Sequence, residues 1–416
     1  MPLVVQKYGG TSVGDADRIR AVADHIARTR RSGDDVVVAV SAMGKTTDEL
    51  IRLAEDVSAV RPGRELDMLL TAGERISMAL VCMALAELGI AAESFTGSQA
   101  GIVTDSVHTN AKILEVRGDR LRDAITRGVV PVVAGFQGVS VEHDVTTLGR
   151  GGTDTTAVAL AAALGADRCE IYTDVTGVFT ADPRIVPGAR RLLRVSFEEM
   201  LEISATGGRV LILRSVEFAR NHHVPLEVRS SFTWEPGTWV SEEDPNMEQA
   251  IVSAVTSDTS EVKLTITGVP DRPGIAASLF RALADASVNV DMIVQNTSHD
   301  GTTDISFTVP RTELAVAVQI AEGLAPKIDA AAVLVDDAVA QVSVVGAGMK
   351  TNPGVTATMF EALAREQINI QMISTSPIRI SCVVDAASAD AAVRILHDAY
   401  GLASSGDGLR PARAGG

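Results

Sequence analysis

Leu3-Val4-Val5-Gln6-Lys7-Tyr8-Gly9-Gly10-Thr11-Ser12 runs a short apolar strand into two glycines, and a helical pattern comes next. That layout makes a phosphate cradle. Glycines let backbone N–H groups approach an anion closely, a lysine supplies positive charge beside them, and the next helix adds its positive N-terminal end. An ordinary strand-to-helix turn with a surface lysine is spelled the same way, so the stretch takes its weight from the segments downstream of it.

Outward from this stretch, residues 1 to about 240 alternate β-rich apolar runs with Ala/Leu-rich helical patterns. Val36–Val40, Val129–Ala134 and Glu170–Thr173 read as strands, and Met68–Leu88 and Thr155–Leu164 as helices. Strands separated by helices predict an α/β fold with a mostly parallel sheet covered on both faces. Ligands of such sheets sit at the carboxyl ends of the strands, where the Gly-rich loops fall. The polar stretch Ser241–Asn246 breaks the pattern and marks a domain boundary. Beyond it PGIAASLFRALADASVNVDMI (273–293) returns as PGVTATMFEALAREQINIQMI (353–373), eighty residues on, with 10 of 21 positions identical. Each copy reads strand, Pro-Gly turn, amphipathic helix, β-branched strand. Two copies predict two small domains of one type packed as a pair. The Gly/Ser/Arg-rich tail from Ser404 is expected to fray.

The bulk numbers set limits. A chain of 416 residues holds two or three domains. A net charge of −16 argues against nucleic acid or an anionic membrane as main partner. Cys82, Cys169 and Cys382 have no metal-site spacing and read as buried thiols in a reducing cytosol. The histidines do not cluster, except for His222-His223, read as a surface pair. With no signal peptide and no long uninterrupted apolar span, the expected location is cytoplasmic.

Four more segments join the lysine-glycine loop: Ser41-Ala42-Met43-Gly44-Lys45-Thr46-Thr47, Thr71-Ala72-Gly73-Glu74-Arg75, Thr147–Thr156 (TLGRGGTDTT) and Thr173–Arg184 (TDVTGVFTADPR). Together with Phe95–Gly101 (FTGSQAG) they resemble, in order and over nearly the whole chain, the aspartate kinase family of the amino-acid kinase superfamily, in its actinobacterial lysine/threonine-pathway type. The repeats resemble that family's two ACT domains. The resemblance implies a three-layer amino-acid kinase fold with a mostly parallel central sheet, then two ferredoxin-like βαββαβ ACT domains. The boundaries expected are a catalytic domain over 1–245, a joining linker or strand over 246–263, ACT domains over 264–338 and 339–404, and a tail over 405–416.

The reaction implied is transfer of the γ-phosphoryl of MgATP to the β-carboxylate of L-aspartate, the first step towards lysine, threonine and methionine. A carboxylate nucleophile is already ionised at pH 7, so no general base is required. Catalysis then reduces to positioning and charge neutralisation. Carried over residue by residue, Lys7 holds the γ-phosphoryl oxygens, Gly9 and Gly10 donate backbone N–H bonds, and Asp154 holds Lys7. Arg150 suits the α-carboxylate, because a guanidinium fork matches a carboxylate in two bonds. Glu74 suits the α-ammonium. Thr47 and Thr153, with Gly151 and Gly152, complete the substrate side. Tyr8, Ser41, Thr173, Asp174, Phe179, Asp182, Arg184 and Arg209 complete the ATP side. Mg2+ is held mainly by the phosphates, with no protein ligands of its own. Plainer readings stand beside these. Arg150 and Asp154 pair with each other, Glu74 serves the helix dipole, Asp182 is a turn residue, or Thr47 is an N-cap.

The regulatory reading comes from the repeats. Asp271, Gly274, Ile275, Ala276, Asn289, Asp291 and Gln295 form the pocket favoured for threonine, and the resemblance adds Val355, Thr356, Asn369 and Ile370. The plain alternative is a turn over an apolar core. ACT pairing implies a homo-oligomer, and an internal start near Met247 would give a hetero-oligomer with a separate regulatory subunit. Three departures from the family pattern stand out. Thr176 replaces an acid, Arg209 replaces a lysine, and Pro377 replaces a glutamate implicated in lysine binding, so lysine sensitivity is expected to be weakened. Competing readings are a superfamily kinase acting on glutamate, acetylglutamate, carbamate or UMP, a feedback-altered paralogue for a specialised pathway, and a non-catalytic amino-acid sensor. The ACT repeats and T-A-G-E-R argue against the first.

Overall fold

The structure, a computed structural model, describes residues 1–243, 250–296 and 301–403. Met247 lies outside them. The chain divides into two compact units. The first holds residues 1–178, 191–204 and the stretch from Arg209 to 243. The second holds 179–190, 205–208 and the described chain from Ala250 onward.

In the first unit the chain runs β1 (Leu3–Tyr8), α1 (Ala16–Arg31), β2 (Asp35–Val40), α2 (Thr46–Val57), α3 (Gly63–Leu70), α4 (Ala72–Glu87), β3 (Ala92–Phe95), β4 (Ile102–Thr104), β5 (Ile113–Val116), α5 (Asp119–Thr126), β6 (Val130–Ala134), β7 (Gln137–Ser140), β8 (Val145–Thr147), α6 (Gly152–Leu164), β9 (Arg168–Thr173), β10 (Arg194–Ser196), α7 (Phe197–Ala205), α8 (Leu213–Asn221), β11 (Leu226–Ser230) and β12 (Thr238–Ser241). Eight strands form one sheet in the order β10-β12-β11-β9-β1-β2-β6-β3. Every neighbouring pair is parallel except β11 with β12. The central strands are apolar throughout because both faces are covered. Val36, Val38 and Val40 pack under α1 and α4, whereas α6 crosses β1, β2 and β9. The chain leaves β1 for β2 on one side and returns to β9 on the other. Such a reversal of strand order opens a crevice outside the carboxyl ends. A smaller sheet, β5-β4-β7-β8, belongs to the same unit.

The single helix read over Met68–Leu88 is two, interrupted at Thr71, whose hydroxyl donates to the Met68 carbonyl at 3.1 Å. Gly63–Glu87 as a whole is long and apolar enough to cross a membrane by composition, in contrast to the expectation of no such span. It is a core element here: Asp67 and Glu74 are buried on it, and Val81 and Leu85 pack against the sheet.

The second unit holds β13 (Ala254–Asp258), then β14 (Glu261–Pro270), α9 (Ile275–Asp285), β15 (Ile293–Gln295), β16 (Thr302–Pro310), α10 (Leu314–Leu324) and β17 (Ala332–Asp336). The second repeat gives β18 (Val339–Val345), α11 (Gly354–Arg365), β19 (Met372–Ser376), β20 (Arg379–Asp385) and α12 (Ala389–Ala399). Both repeats build four-stranded sheets, β15-β16-β14-β17 and β13-β18-β20-β19. The first repeat uses its own β17 beside its first strand. The second takes β13, from before the first repeat, into the equivalent place. Met292 and Met372, eighty residues apart, share one small apolar cluster with Val339 and Val383, so the repeats pack as a pair.

Candidate active site

Four loops at the carboxyl ends of β1, β2 and β6 and before α6 meet in the first unit. Lys7 is the penultimate residue of β1, with only 9% of its surface exposed, and its ammonium Nζ lies 2.6 Å from Asp154 Oδ1. A buried lysine is costly unless paired, and Asp154 supplies the pair. The lysine curls back over its own loop: a methyl group on Gly9 would sit 3.3 Å from Nζ. Gly10 is needed for close approach, since a Cβ there would lie 3.0 Å from the carbonyls of Ala42 and Gly44. Gly44 N–H donates to Gly10 O at 3.0 Å, locking the two loops together. The Gly9 N–H is already donated to Tyr172 O at 3.3 Å, so of the two glycine amides only that of Gly10, in the first turn of a short 3-10 helix (Gly10–Val13), is left without a helical partner. Tyr8 likewise offers only its main chain. Its ring is fully buried and stacked on Tyr172.

On the other side of Lys7, Ser41 donates its hydroxyl to Thr153 Oγ1 at 3.0 Å. Glu74, in the first turn of α4 and 3% exposed, accepts from Ala42 N–H at 3.1 Å through Oε1. Its Oε2 is buried with no partner. Burial pushes the Glu74 carboxyl up to about 7. A carboxylate with one oxygen unsatisfied in a crevice is a ready acceptor for a cation. Arg150 stands exposed between Gly149 and Gly151, both left-handed with φ of 77° and 69°. A side chain at Gly151 would place Cβ 2.1 Å from Ile212. Asp154 pairs with Lys7 rather than Arg150. Thr47 is half-buried inside α2, not at its N-cap, which is Lys45.

Several residues that shape this site carry no motif. Asp67, fully buried on α3, accepts from Thr147 Oγ1 at 2.5 Å, from Thr109 N–H and from His108 Nδ1 at 2.7 Å. It thereby ties down the strand that leads into Gly149–Thr153. Arg214 donates to the carbonyls of Leu148 and Ala111. Gly135 leaves room for Thr153, whose Cγ2 would be 2.4 Å from a Cβ there. The one sequence signal for Asp67 is an acid inside the apolar helical run LDMLL.

The nucleotide candidates divide between the units. Thr173 ends β9 and Asp174 follows it in the first, with Thr173 Oγ1 donating to Asp174 Oδ1, and exposed Arg209 lies in the first as well. Phe179, Asp182 and Arg184 belong to the second, where Asp182 accepts from Arg184 N–H and pairs with its guanidinium at 2.6 Å.

Of the effector candidates, Asp271, Gly274, Ile275, Ala276 and Gln295 line one hollow of about 300 Å³ at the start of α9. Asn289 and Asp291 do not line it. Eleven helical residues span about 16 Å, so the chain after α9 begins at the far end, and β15 brings only Gln295 back. Asn289 N–H instead donates to Glu313. The second repeat has the same split, with Val355 and Thr356 opening α11 and Asn369 and Ile370 beyond it. The turns also differ. Gly274 is left-handed with φ of 99° and precedes its helix, whereas Gly354 is the first residue of α11.

Comparison with known proteins identifies the family. The amino acid kinase family model matches residues 2–230, and an ACT domain model matches 262–323 and 342–400. An aspartokinase of Mycolicibacterium smegmatis is 59% identical over 407 residues, 97% of each chain. Among solved structures, E. coli aspartokinase III in complex with aspartate and ADP (R-state) aligns at TM-score 0.82 and 25% identity, over 95% of this chain and 99% of that one. The same enzyme with lysine and aspartate (T-state) aligns at 0.73 and 26%, with the same coverage. The chain belongs to the amino acid kinase family and, within it, to the aspartokinases.

Proposed function

We propose that Lys7, Asp154, Glu74, Arg150 and the glycine loops are the residues through which this aspartokinase phosphorylates the β-carboxylate of L-aspartate with ATP to give 4-phospho-L-aspartate. One observation carries the assignment: a buried lysine fixed by one carboxylate sits next to the Gly10 loop, and that loop packs against Ala42, whose N–H is held by a buried glutamate with an oxygen to spare. The lysine suits a phosphoryl group in flight, the glutamate an amino acid's ammonium. The ionised acceptor needs no base, so the barrier falls through alignment and through charge already in place. Lys7 neutralises the transferred group. Asp154 holds Lys7 and takes no proton. Gly10 contributes its N–H. Gly9, whose amide is engaged, contributes close approach for the phosphate. Glu74 takes the α-ammonium and Arg150 the α-carboxylate, with Thr47, Gly151, Gly152 and Thr153 around them. Tyr8 main chain, Ser41, Thr173, Asp174, Phe179, Asp182, Arg184 and Arg209 line the nucleotide.

The described residues contain no group of three or more His, Cys, Asp or Glu suited to a metal. Lys7 and Asp154 are engaged with each other, which suits a Mg2+ ion carried by the phosphate oxygens. We assign the catalytic domain to 1–245, the joining stretch to 246–263, the ACT domains to 264–338 and 339–404, and the tail to 405–416. Threonine is the effector assigned to the hollow at Asp271, Gly274 and Gln295. Pro377 favours a feedback-altered enzyme with weakened response to lysine. The enzyme works in the cytoplasm as an oligomer, either of full chains or with a subunit begun near Met247. An ATP-dependent assay with hydroxylamine trapping the acyl phosphate tests the activity. Aspartyl hydroxamate formed only with both substrates supports it, and ATP hydrolysis without hydroxamate would overturn it. Repeating it with threonine, lysine and both tests the control.

A further inference from the structure

The segment Phe179–Arg190 belongs to the second unit, whereas Val178 before it belongs to the first. Thr180 O accepts from Val255 N–H of β13 at 2.8 Å. Thr180 Oγ1 meets Nε2 of His397, a fully buried imidazole on α12, at 2.9 Å, and also accepts from Arg190 N–H at 3.0 Å. Arg190 Nε donates to Leu402 O at 2.7 Å. Ala181 and Val186 sit in one apolar core with Met359 and Leu396 of the second repeat. The next strand residues make the same link a second time. Thr256 Oγ1 lies 2.6 Å from Thr206 Oγ1, and a Cβ on Gly207, two residues before Arg209, would be 2.1 Å from Ser257 O. One edge of β13 thus completes the second repeat's sheet, and its residues also hold two further segments, one carrying Phe179, Asp182 and Arg184 and one leading to Arg209.

We propose that the buried Thr180–His397 pair is a positioning device for the nucleotide, fixing Phe179–Arg190, and with it Asp182 and Arg184, to the core of the second ACT repeat. The proposal rests on the reading of Phe179, Asp182 and Arg184 as nucleotide-lining. A repacking of the second repeat reaches this segment directly, because Ala181 and Val186 on either side of Asp182 and Arg184 share its core. His397 touches no substrate on this account. It acts only through Thr180.

Steady-state kinetics of the full chain test it, with T180V, H397L, H397Q and R184A beside wild type. Thr180→Val and His397→Leu each raise KM for ATP roughly fivefold, the worth of one net buried hydrogen bond. KM for aspartate stays within about twofold, and the double variant is no worse than the poorer single one. His397→Gln, which can place an amide near the position of Nε2, recovers most of the loss. If His397→Leu does not fold, the near-isosteric Thr180→Val carries the same test. An unchanged KM for ATP in Thr180→Val, with a raised one in Arg184→Ala, overturns the inference alone. Unchanged values in both overturn it together with the nucleotide reading. Equal rises for ATP and aspartate mark a merely structural pair and also overturn it.

Discussion

Glu74→Gln separates what the buried carboxylate costs the fold from what it gives the substrate. Burial raises its pKa from 4.5 to about 7, and one oxygen has no partner. The folded state therefore holds this proton more tightly than the unfolded chain. Its contribution is fully favourable below pH 4.5 and is lost as pH rises through about 7. Integrating the proton linkage between about pH 5 and about pH 8.5 gives roughly 2.5 kcal/mol. Glutamine does not titrate. The gap in stability between the two proteins must therefore shift by that amount over this range, in favour of the variant at high pH, whatever constant offset the amide brings. Both tryptophans, Trp234 and Trp239, lie in the first unit, so denaturant unfolding followed by their fluorescence reads the relevant part of the chain. Saturating aspartate should flatten the wild-type dependence, because an ammonium paired with Glu74 lowers its pKa again, and should do nothing for the variant. Parallel pH profiles for the two proteins would refute the reasoning.

Three further outcomes are expected. Gly135→Ala drives a methyl to 2.4 Å from Thr153 Cγ2; it should cost about 1–3 kcal/mol by overpacking and raise KM for aspartate, measured by unfolding and initial rates. Pro377 is the first residue of the two-residue loop Pro377-Ile378 between β19 and β20, a position outside the ladder where no backbone N–H is called for. Pro377→Glu should therefore fold normally and gain inhibition in a lysine titration; strong inhibition of wild type, unchanged in the variant, would contradict this. Asp154→Asn leaves Lys7 buried without its counter-charge, and should lower kcat by one to two orders of magnitude, on the scale of about 1.4 kcal/mol per tenfold, as read by hydroxamate formation.

Much of the fold was legible because its signals are local. Val36–Val40 is apolar at every position, as a strand covered on both faces must be. The eighty-residue echo made two like domains visible before any strand was placed. The site was legible where chemistry constrains residue type, as at Lys7, Glu74 and Asp154. Long-range pairing was not. Nothing in Ala254–Asp258 says that it will complete the sheet of the second repeat rather than lead into the first. Nor do Asn289 and Asp291 announce that α9 separates them from Gly274. The two Pro-Gly turns read alike, yet only the first places its glycine in the left-handed region. Amide use is equally hidden: the Gly9 N–H faces Tyr172 O only because β9 lies beside β1. Asp67 reads as a surface acid until its three donors, from two other segments, are in place.

The central claim is that a lysine held rigid by Asp154, beside a glycine amide, stabilises the phosphoryl group as it passes between two bound anions. Single-turnover formation of aspartyl phosphate by Lys7→Ala, trapped with hydroxylamine at saturating ATP and aspartate, addresses it most directly. Loss of such a preorganised donor should slow the chemical step by about 10²–10³-fold with the protein still folded. A step within tenfold of wild type would contradict the account.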